Sequence, residues 1–213
     1  MGCRIFLIRH GETIWNKQLK FQGHEDVPLS TGGLEQASAL ASRLEGQTLD
    51  GVYASDLSRA METARGLAAP RGLEVFTDPS LREMNFGQWE GLTFKQIQEK
   101  YQEQVKLWWS NPVDTRVPGG ETLSELAARV TAFVSGLVEK HAGGQVAVVC
   151  HGGPVRVLVA KVLGMDLNQY WRIRQDNASL NVIDFASWDK GIVVLLNDRS
   201  HLGKEIVPPY VRI

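Results

Sequence analysis

Two histidines stand in matching surroundings. His10 follows Phe6-Leu7-Ile8-Arg9 and precedes Gly11, and His151 follows Val148-Val149-Cys150 and precedes Gly152-Gly153. Each imidazole therefore comes just past an apolar run of strand length. A lone histidine in that position is usually a hydrogen-bonded loop residue, but two in the same context weaken the bland reading. Arginines accompany them. Arg9 adjoins His10, and Arg59 in Ser55-Asp56-Leu57-Ser58-Arg59-Ala60 falls in the first turn of a helix after a second strand. An arginine at a helix start works against the macrodipole, so a specific anionic partner is favoured over solvent. Glu83 lies in a loop after a third strand. Two imidazoles, two guanidiniums and a carboxyl group suit a tetrahedral dianion. Arginine forks and helix-start amides hold its oxygens, an imidazole attacks the central atom, and the carboxyl group handles the proton.

These groups meet only if their strands end on one edge of a sheet. Apolar runs over Arg4–Arg9, Val52–Ala54, Glu74–Thr77, Val146–Cys150, Leu180–Phe185 and Ile192–Leu196 read as strands. Between them lie helical patterns: Leu34 to Leu44, capped by Ser30 or Thr31; Leu57 to Leu67; and a long one opened by the capping box Thr122-x-x-Glu125. A further helix runs from Pro154 to near Gly164. Residues 84–120 differ in texture, with a capping box at Thr93-x-x-Gln96, then Trp108-Trp109 and Pro118-Gly119-Gly120. The expected fold is α/β, a mostly parallel central sheet with helices on both faces. It forms a single domain over residues 1–213 with a small helical insertion, about 84–120, over the site. In such a sheet the crevice lies outside the carboxyl ends of the strands, where both histidines would project.

Composition narrows the setting. The 213 residues carry 23 Lys+Arg against 24 Asp+Glu, a formal charge of −1, with 43% hydrophobic residues. That is too apolar for a disordered chain, and it lacks the basic excess of a nucleic-acid or anionic-membrane binder. A balanced total still leaves room for a locally cationic pocket. No stretch approaches the ~20 apolar residues of a membrane-spanning helix. Cys3 and Cys150 form no Cys-x-x-Cys pair and read as small apolar strand residues, so a reducing, cytoplasmic setting is expected. His-x₃-His or similar spacing is absent, so no metal and no cofactor are expected.

The segment Leu7-Ile8-Arg9-His10-Gly11-Glu12-Thr13 resembles the signature of the histidine phosphatase superfamily, which includes the cofactor-dependent phosphoglycerate mutases. An ordered series around it strengthens the resemblance: Asn16; Phe21-Gln22-Gly23-His24; Ser55-Asp56-x-x-Arg59-Ala60; Leu81-Arg82-Glu83; Trp89-Glu90-Gly91; Gly119-Gly120-Glu121; and His151-Gly152. It spans nearly the whole chain. The resemblance implies the phosphoglycerate mutase-like fold and a set of roles. His10 becomes a phosphohistidine. Arg9, Arg59 and His151 bind the transferred phosphoryl group, and a bound dianion would favour the cationic form of His151. Asn16 and Gln22 add hydrogen bonds, and Gly23 and Gly152 offer backbone N–H groups. Glu83 is general acid and then base. Phosphoryl transfer asks mainly for positioning and charge neutralisation, which side chains can supply. For His10 to attack, its other ring N–H needs a fixed acceptor.

Family members divide by what accepts the phosphoryl group. In the mutases the insertion carries a tryptophan followed by paired arginines, whereas here the stretch is Lys106-Leu107-Trp108-Trp109-Ser110. Phe21-Gln22-Gly23 also looks like the phosphatase form of its loop. The expectation is a phosphomonoesterase for small phosphorylated metabolites, with α-ribazole-5′-phosphate or phosphoserine as candidate substrates and the mutase as the alternative. Trp89, Trp108 and Trp109 either line an entrance or fill the insertion core. His24 and His141 read as ordinary loop or capping residues. The carboxyl-terminal stretch Ile206–Ile213 either covers the domain or joins a partner.

Overall fold

The computed structural model describes residues 2–203, so the Ile206–Ile213 stretch lies outside the described residues. The chain runs β1 (Cys3–Arg9), α1 (Ile14–Lys17), α2 (Thr31–Arg43), β2 (Gly51–Ala54), α3 (Ser58–Ala68), β3 (Val75–Thr77) and α4 (Phe94–Lys100). It continues through α5 (Gln102–Ser110), α6 (Leu123–Lys140), β4 (Gln145–Cys150), α7 (Gly152–Val162), β5 (Leu180–Phe185) and β6 (Gly191–Asp198). The six strands form one sheet in the order β3-β2-β4-β1-β5-β6. The first four are parallel, β5 runs against β1, and β6 runs against β5.

Side-chain alternation along β1 divides the core between the two sheet faces. Ile5 and Leu7 join Val130 and Val134 of α6 and Val155 and Leu158 of α7. Phe6 and Ile8 join Leu40 of α2 and Ala64 and Leu67 of α3. Each large side chain withdrawn in this way contributes about 1.5–3 kcal/mol. The sheet is thereby fixed between two helical layers, and its carboxyl edge is left to the loops. β1 and β4 are neighbours in register, with Arg9 opposite Cys150. His10 and His151 therefore leave adjacent strands at the same level.

Local signals explain most element boundaries. Ser30 caps α2 by accepting from Gly33 N–H, and the capping boxes at Thr93 and Thr122 both form. The start of α3 is different. Its N-cap is Leu57, which has no capping atom, and Asp26 accepts from Ser58 N–H at 2.8 Å instead. That bond draws the loop after β1 onto the first turn of α3. Short elements escape the sequence pattern, among them α1, capped by a Thr13–Asn16 box, and a 3₁₀ segment over Leu167–Arg172. In the 84–120 segment, Trp89 and Trp108 are buried at 2% and 6% exposure and pack edge-on, 5.7 Å between centroids. They are core residues. Trp109 stays 37% exposed against Phe94 and Trp171. Among the described residues no helix is long and apolar enough to cross a membrane.

Candidate active site

His10 continues the parallel ladder by one bond, donating its N–H to Cys150 O at 3.0 Å. The chain then turns at Gly11, which lies so close to Gly33 of α2 that a Cβ on Gly11 would run into that backbone. The His10 ring is 2% exposed, with Nδ1 only 2.6 Å from Gly11 O. The carbonyl can only accept, so Nδ1 carries the proton and Nε2 keeps its lone pair. Burial, reinforced by Arg59 and then Arg9, pushes the His10 pKa well below its ordinary value. A neutral imidazole with one fixed tautomer results.

The His151 ring is fully buried and meets His10 edge-on, 5.0 Å between centroids. Arg59 Nε donates to His151 Nδ1 at 3.3 Å, which leaves the proton on Nε2. Burial, then Arg59 and His10, push its pKa well below the ordinary value too. The ring is neutral here, and the cationic form expected from sequence requires a dianion beside it. Arg59 is itself fully buried. Its two Nη atoms donate to Glu25 O at 2.7 Å and Gly23 O at 2.8 Å. Gly23 thus contributes its carbonyl to Arg59.

Arg9, Glu83 and Gly152 come together at the start of α7. A Cβ on Gly152 would stand 3.6 Å from Glu83 Oε2 and 3.7 Å from Arg9 Nε. Glu83 Oε1 accepts from Met84 N–H and Gly153 N–H, both at 2.9 Å. Arg9 Nη1 donates to Gln175 O at 2.7 Å, and burial holds its pKa down at about 10. Two buried donors, Arg9 Nε and His151 Nε2, have no acceptor among the described residues. Such groups cost about 1–3 kcal/mol each and call for an acceptor oxygen.

Asn16 and Gln22 are tied into the loop after β1 through Thr13. Thr13 Oγ1 lies 3.0 Å from Asn16 Oδ1 and 2.9 Å from Gln22 Oε1. Glu12, though part of the signature segment, turns away to accept from Ser30 Oγ at 2.9 Å. His24 Nε2 lies 3.0 Å from Glu83 O, and His141 pairs with the Tyr53 hydroxyl at 2.7 Å. Cys150 is buried and its thiol pKa is pushed up by that burial, the opposite of a nucleophilic cysteine.

Two nearby residues escaped the sequence reading. Arg156 Nη1 stands 3.5 Å from the position of a Gly152 Cβ, while its Nε donates to Ile173 O at 2.8 Å. The i, i+4 spacing from Gly152 was the available signal, because it puts both on one face of α7. Asn177 Nδ2 reaches His10 O at 3.3 Å, Gly11 O at 3.4 Å and Asn16 Oδ1 at 3.1 Å. It precedes β5, whose antiparallel direction brings a strand start to the edge where the parallel strands end.

The assembled groups are a neutral imidazole with its Nε2 lone pair free, a second imidazole offering N–H, three guanidiniums and one carboxyl group. Among the described residues no cluster of three or more His, Cys, Asp or Glu side chains is gathered to hold a metal ion. The family model for the histidine phosphatase superfamily (branch 1) matches residues 5–199. Phosphoserine phosphatase 1 of Hydrogenobacter thermophilus is 34% identical over 210 residues, 99% of each chain. Phosphoglycerate mutase-like protein 4 of Arabidopsis thaliana is 40% identical over 203 residues, 94% of this chain and 87% of that one. The structure of the alpha-ribazole phosphatase from Shigella flexneri superposes with a TM-score of 0.83 at 32% identity, covering 92% of this chain and 96% of that one. A site built on His10 and His151, and a match that runs from β1 to beyond β6, agree: the chain belongs to branch 1 of the histidine phosphatase superfamily.

Proposed function

We propose that this chain is a phosphomonoesterase that hydrolyses small phosphorylated metabolites through a phosphohistidine on His10. One observation carries the reading. His10 is locked as the Nδ1–H tautomer against Gly11 O, and two unpartnered buried donors, Arg9 Nε and His151 Nε2, sit beside it. In the first step His10 Nε2 bonds to phosphorus and the P–O ester bond breaks. The leaving oxygen takes the Glu83 proton. In the second step Glu83 takes a proton from water, the water oxygen bonds to phosphorus, and the P–N bond breaks to release inorganic phosphate. Arg9, Arg59 and His151 neutralise charge on the transferring oxygens, with Asn16, Gln22, Gly23 and Gly152 shaping the pocket. No metal or other cofactor enters these steps.

Water is favoured over a second hydroxyl as acceptor, because three of the insertion's four cations face carboxylates. Lys95 faces Glu99, Lys106 pairs with Glu103 at 2.8 Å, Arg116 pairs with Glu125, and Lys100 lies over Tyr101. A bisphosphorylated intermediate needs unpaired positive charge there. The Nη1 of Arg156 favours an ester bearing a second anion such as a carboxylate, which makes phosphoserine the preferred substrate over α-ribazole-5′-phosphate. Two buried free cysteines support a reducing, cytoplasmic setting. Phosphate release from phosphoserine, α-ribazole phosphate and 3-phosphoglycerate is the test. Isomerisation of phosphoglycerates without phosphate release would overturn the reading.

A further inference from the structure

Glu83 lies in the long connection after β3, a poor place from which to hold a proton-transfer group within tenths of an ångström. One side chain outside the site ties that connection down. Arg129, in the second turn of α6, spends all five of its N–H donors within a small volume. Nη1 donates to Ser80 O at 2.8 Å and Arg82 O at 2.7 Å. Nη2 donates to Glu83 O at 2.8 Å and Glu121 Oε1 at 2.6 Å, and Nε donates to Glu121 Oε2 at 3.2 Å. Glu121 Oε1 also accepts from Asn85 N–H at 2.8 Å. Residues 80–85 are therefore held by the Arg129–Glu121 pair at four points: Ser80 and Arg82 before Glu83, Glu83 itself, and Asn85 after it.

We infer that the Arg129–Glu121 pair is a positioning device for proton transfer by Glu83. It makes no hydrogen bond to His10 or His151, and the Arg129 charge is only the smallest of the named influences that hold the His151 pKa down. It acts by fixing the Glu83 backbone, so that the carboxyl group meets Gly153 N–H beside the start of α7. Only a planar guanidinium presents five donors at fixed angles, and lysine has three on a mobile stem. The carbonyls of Ser80, Arg82 and Glu83 converge on one point, which is the pattern a guanidinium satisfies. This inference rests on the reading of Glu83 as acid and base.

The distinguishing property is the leaving group. An alkoxide needs a proton in the transition state, and p-nitrophenolate scarcely does. Displacing a catalytic group by about 1 Å costs about 100-fold. Arg129→Gln should therefore lower kcat/KM for phosphoserine and glycerol phosphate by about 100-fold, and for p-nitrophenyl phosphate by less than about threefold. In a Glu83→Gln background the same substitution should cost the alkyl esters almost nothing further. Equal losses on both ester classes, or losses that add to those of Glu83→Gln, would overturn the positioning role. Should Arg129→Gln not fold, Glu121→Gln keeps the test. It leaves the guanidinium in place and should give a smaller loss with the same ester dependence. Glu83→Gln alone separates the two failures. If it affects both ester classes equally, the acid–base reading of Glu83 falls instead.

Discussion

Arg59→Met removes a group that is expensive to bury and central to the proposed chemistry, and the two effects separate. Burial holds the Arg59 guanidinium at about 10, well below a free arginine. Each pH unit of depression is about 1.4 kcal/mol against the charged form, so the fold carries about 3 kcal/mol on this account. Methionine relieves that cost. Against the relief, Gly23 O and His151 Nδ1 lose their donors in a buried place, about 1–3 kcal/mol each. Glu25 is exposed, and its carbonyl can turn to water. The balance runs from about 1 kcal/mol more stable to about 3 kcal/mol less stable, a fall of at most about 12 °C in Tm for a chain of this size. Turnover should fall much further. Losing one preorganised charge aimed at the transferring oxygens costs about 10²–10³ in kcat. Arg59 is also the second cause, after burial, of the low pKa of both His10 and His151. Removing it favours the protonated rings, so the acid limb of kcat/KM should move to higher pH. Thermal melts, steady-state phosphate release and a pH profile on the same preparation make the assay. A folded variant turning over within tenfold of the parent would refute the role, as would an acid limb that stays or moves down.

His10→Ala should leave no acid-labile phosphoenzyme after rapid quenching with labelled substrate, and normal turnover in that variant would remove the phosphohistidine route. Gly23→Ala should cost about 1–3 kcal/mol and at least tenfold in kcat, because φ there is +51° and the new Cβ would strike the Glu90 carboxylate. Glu90 in turn holds His24 N–H and Phe86 N–H, so the Gly23 carbonyl that anchors Arg59 would shift. Stability should fall as pH drops below about 6.5, where the unfolded chain takes up protons that the buried His10 and His151 refuse. The slope from this pair is up to about 3 kcal/mol per pH unit, and urea midpoints unchanged between pH 7 and pH 5.5 would contradict it.

The parallel core was readable because its signals are local. Strand-length apolar runs, caps at Ser30, Thr93 and Thr122, and glycines after His10 and His151 each act within a few residues. Their physics therefore shows in a single sequence. What escaped depends on partners far along the chain. Asp26 caps α3 from 32 residues away. Asn177 braces the His10 loop from 166 residues away, because β5 is antiparallel and begins where β1 ends. The burial of Trp89 and Trp108 follows from their packing on each other and on Phe21 and Phe86, and their own spacing carries no such information. The neutral state of His151 without a bound dianion has an equally distant origin. Its Nδ1 is fixed by Arg59, 92 residues away.

The near-zero net charge concealed the cationic pocket for a structural reason. Most arginines of this chain that face carboxylates do so on the periphery: Arg4 with Asp184, Arg82 with Asp56, Arg116 with Glu125. The site arginines are held differently. Arg59 is bound by Gly23 O and Glu25 O, Arg9 by Gln175 O, and Arg156 by Ile173 O. A carbonyl fixes the orientation of a guanidinium as firmly as a carboxylate does, but it brings no opposing charge. The positive potential at the carboxyl edge of β1 and β4 is therefore opposed nearby mainly by Glu83, while more distant acids cancel it in the sum. That arrangement also accounts for the neutral histidines, since the arginine charges and burial act on His10 and His151 in the same direction. A dianion entering the site reverses the Coulomb part of that balance. It would favour protonation of His151, and His10 would stay fixed by Gly11 O as the nucleophile.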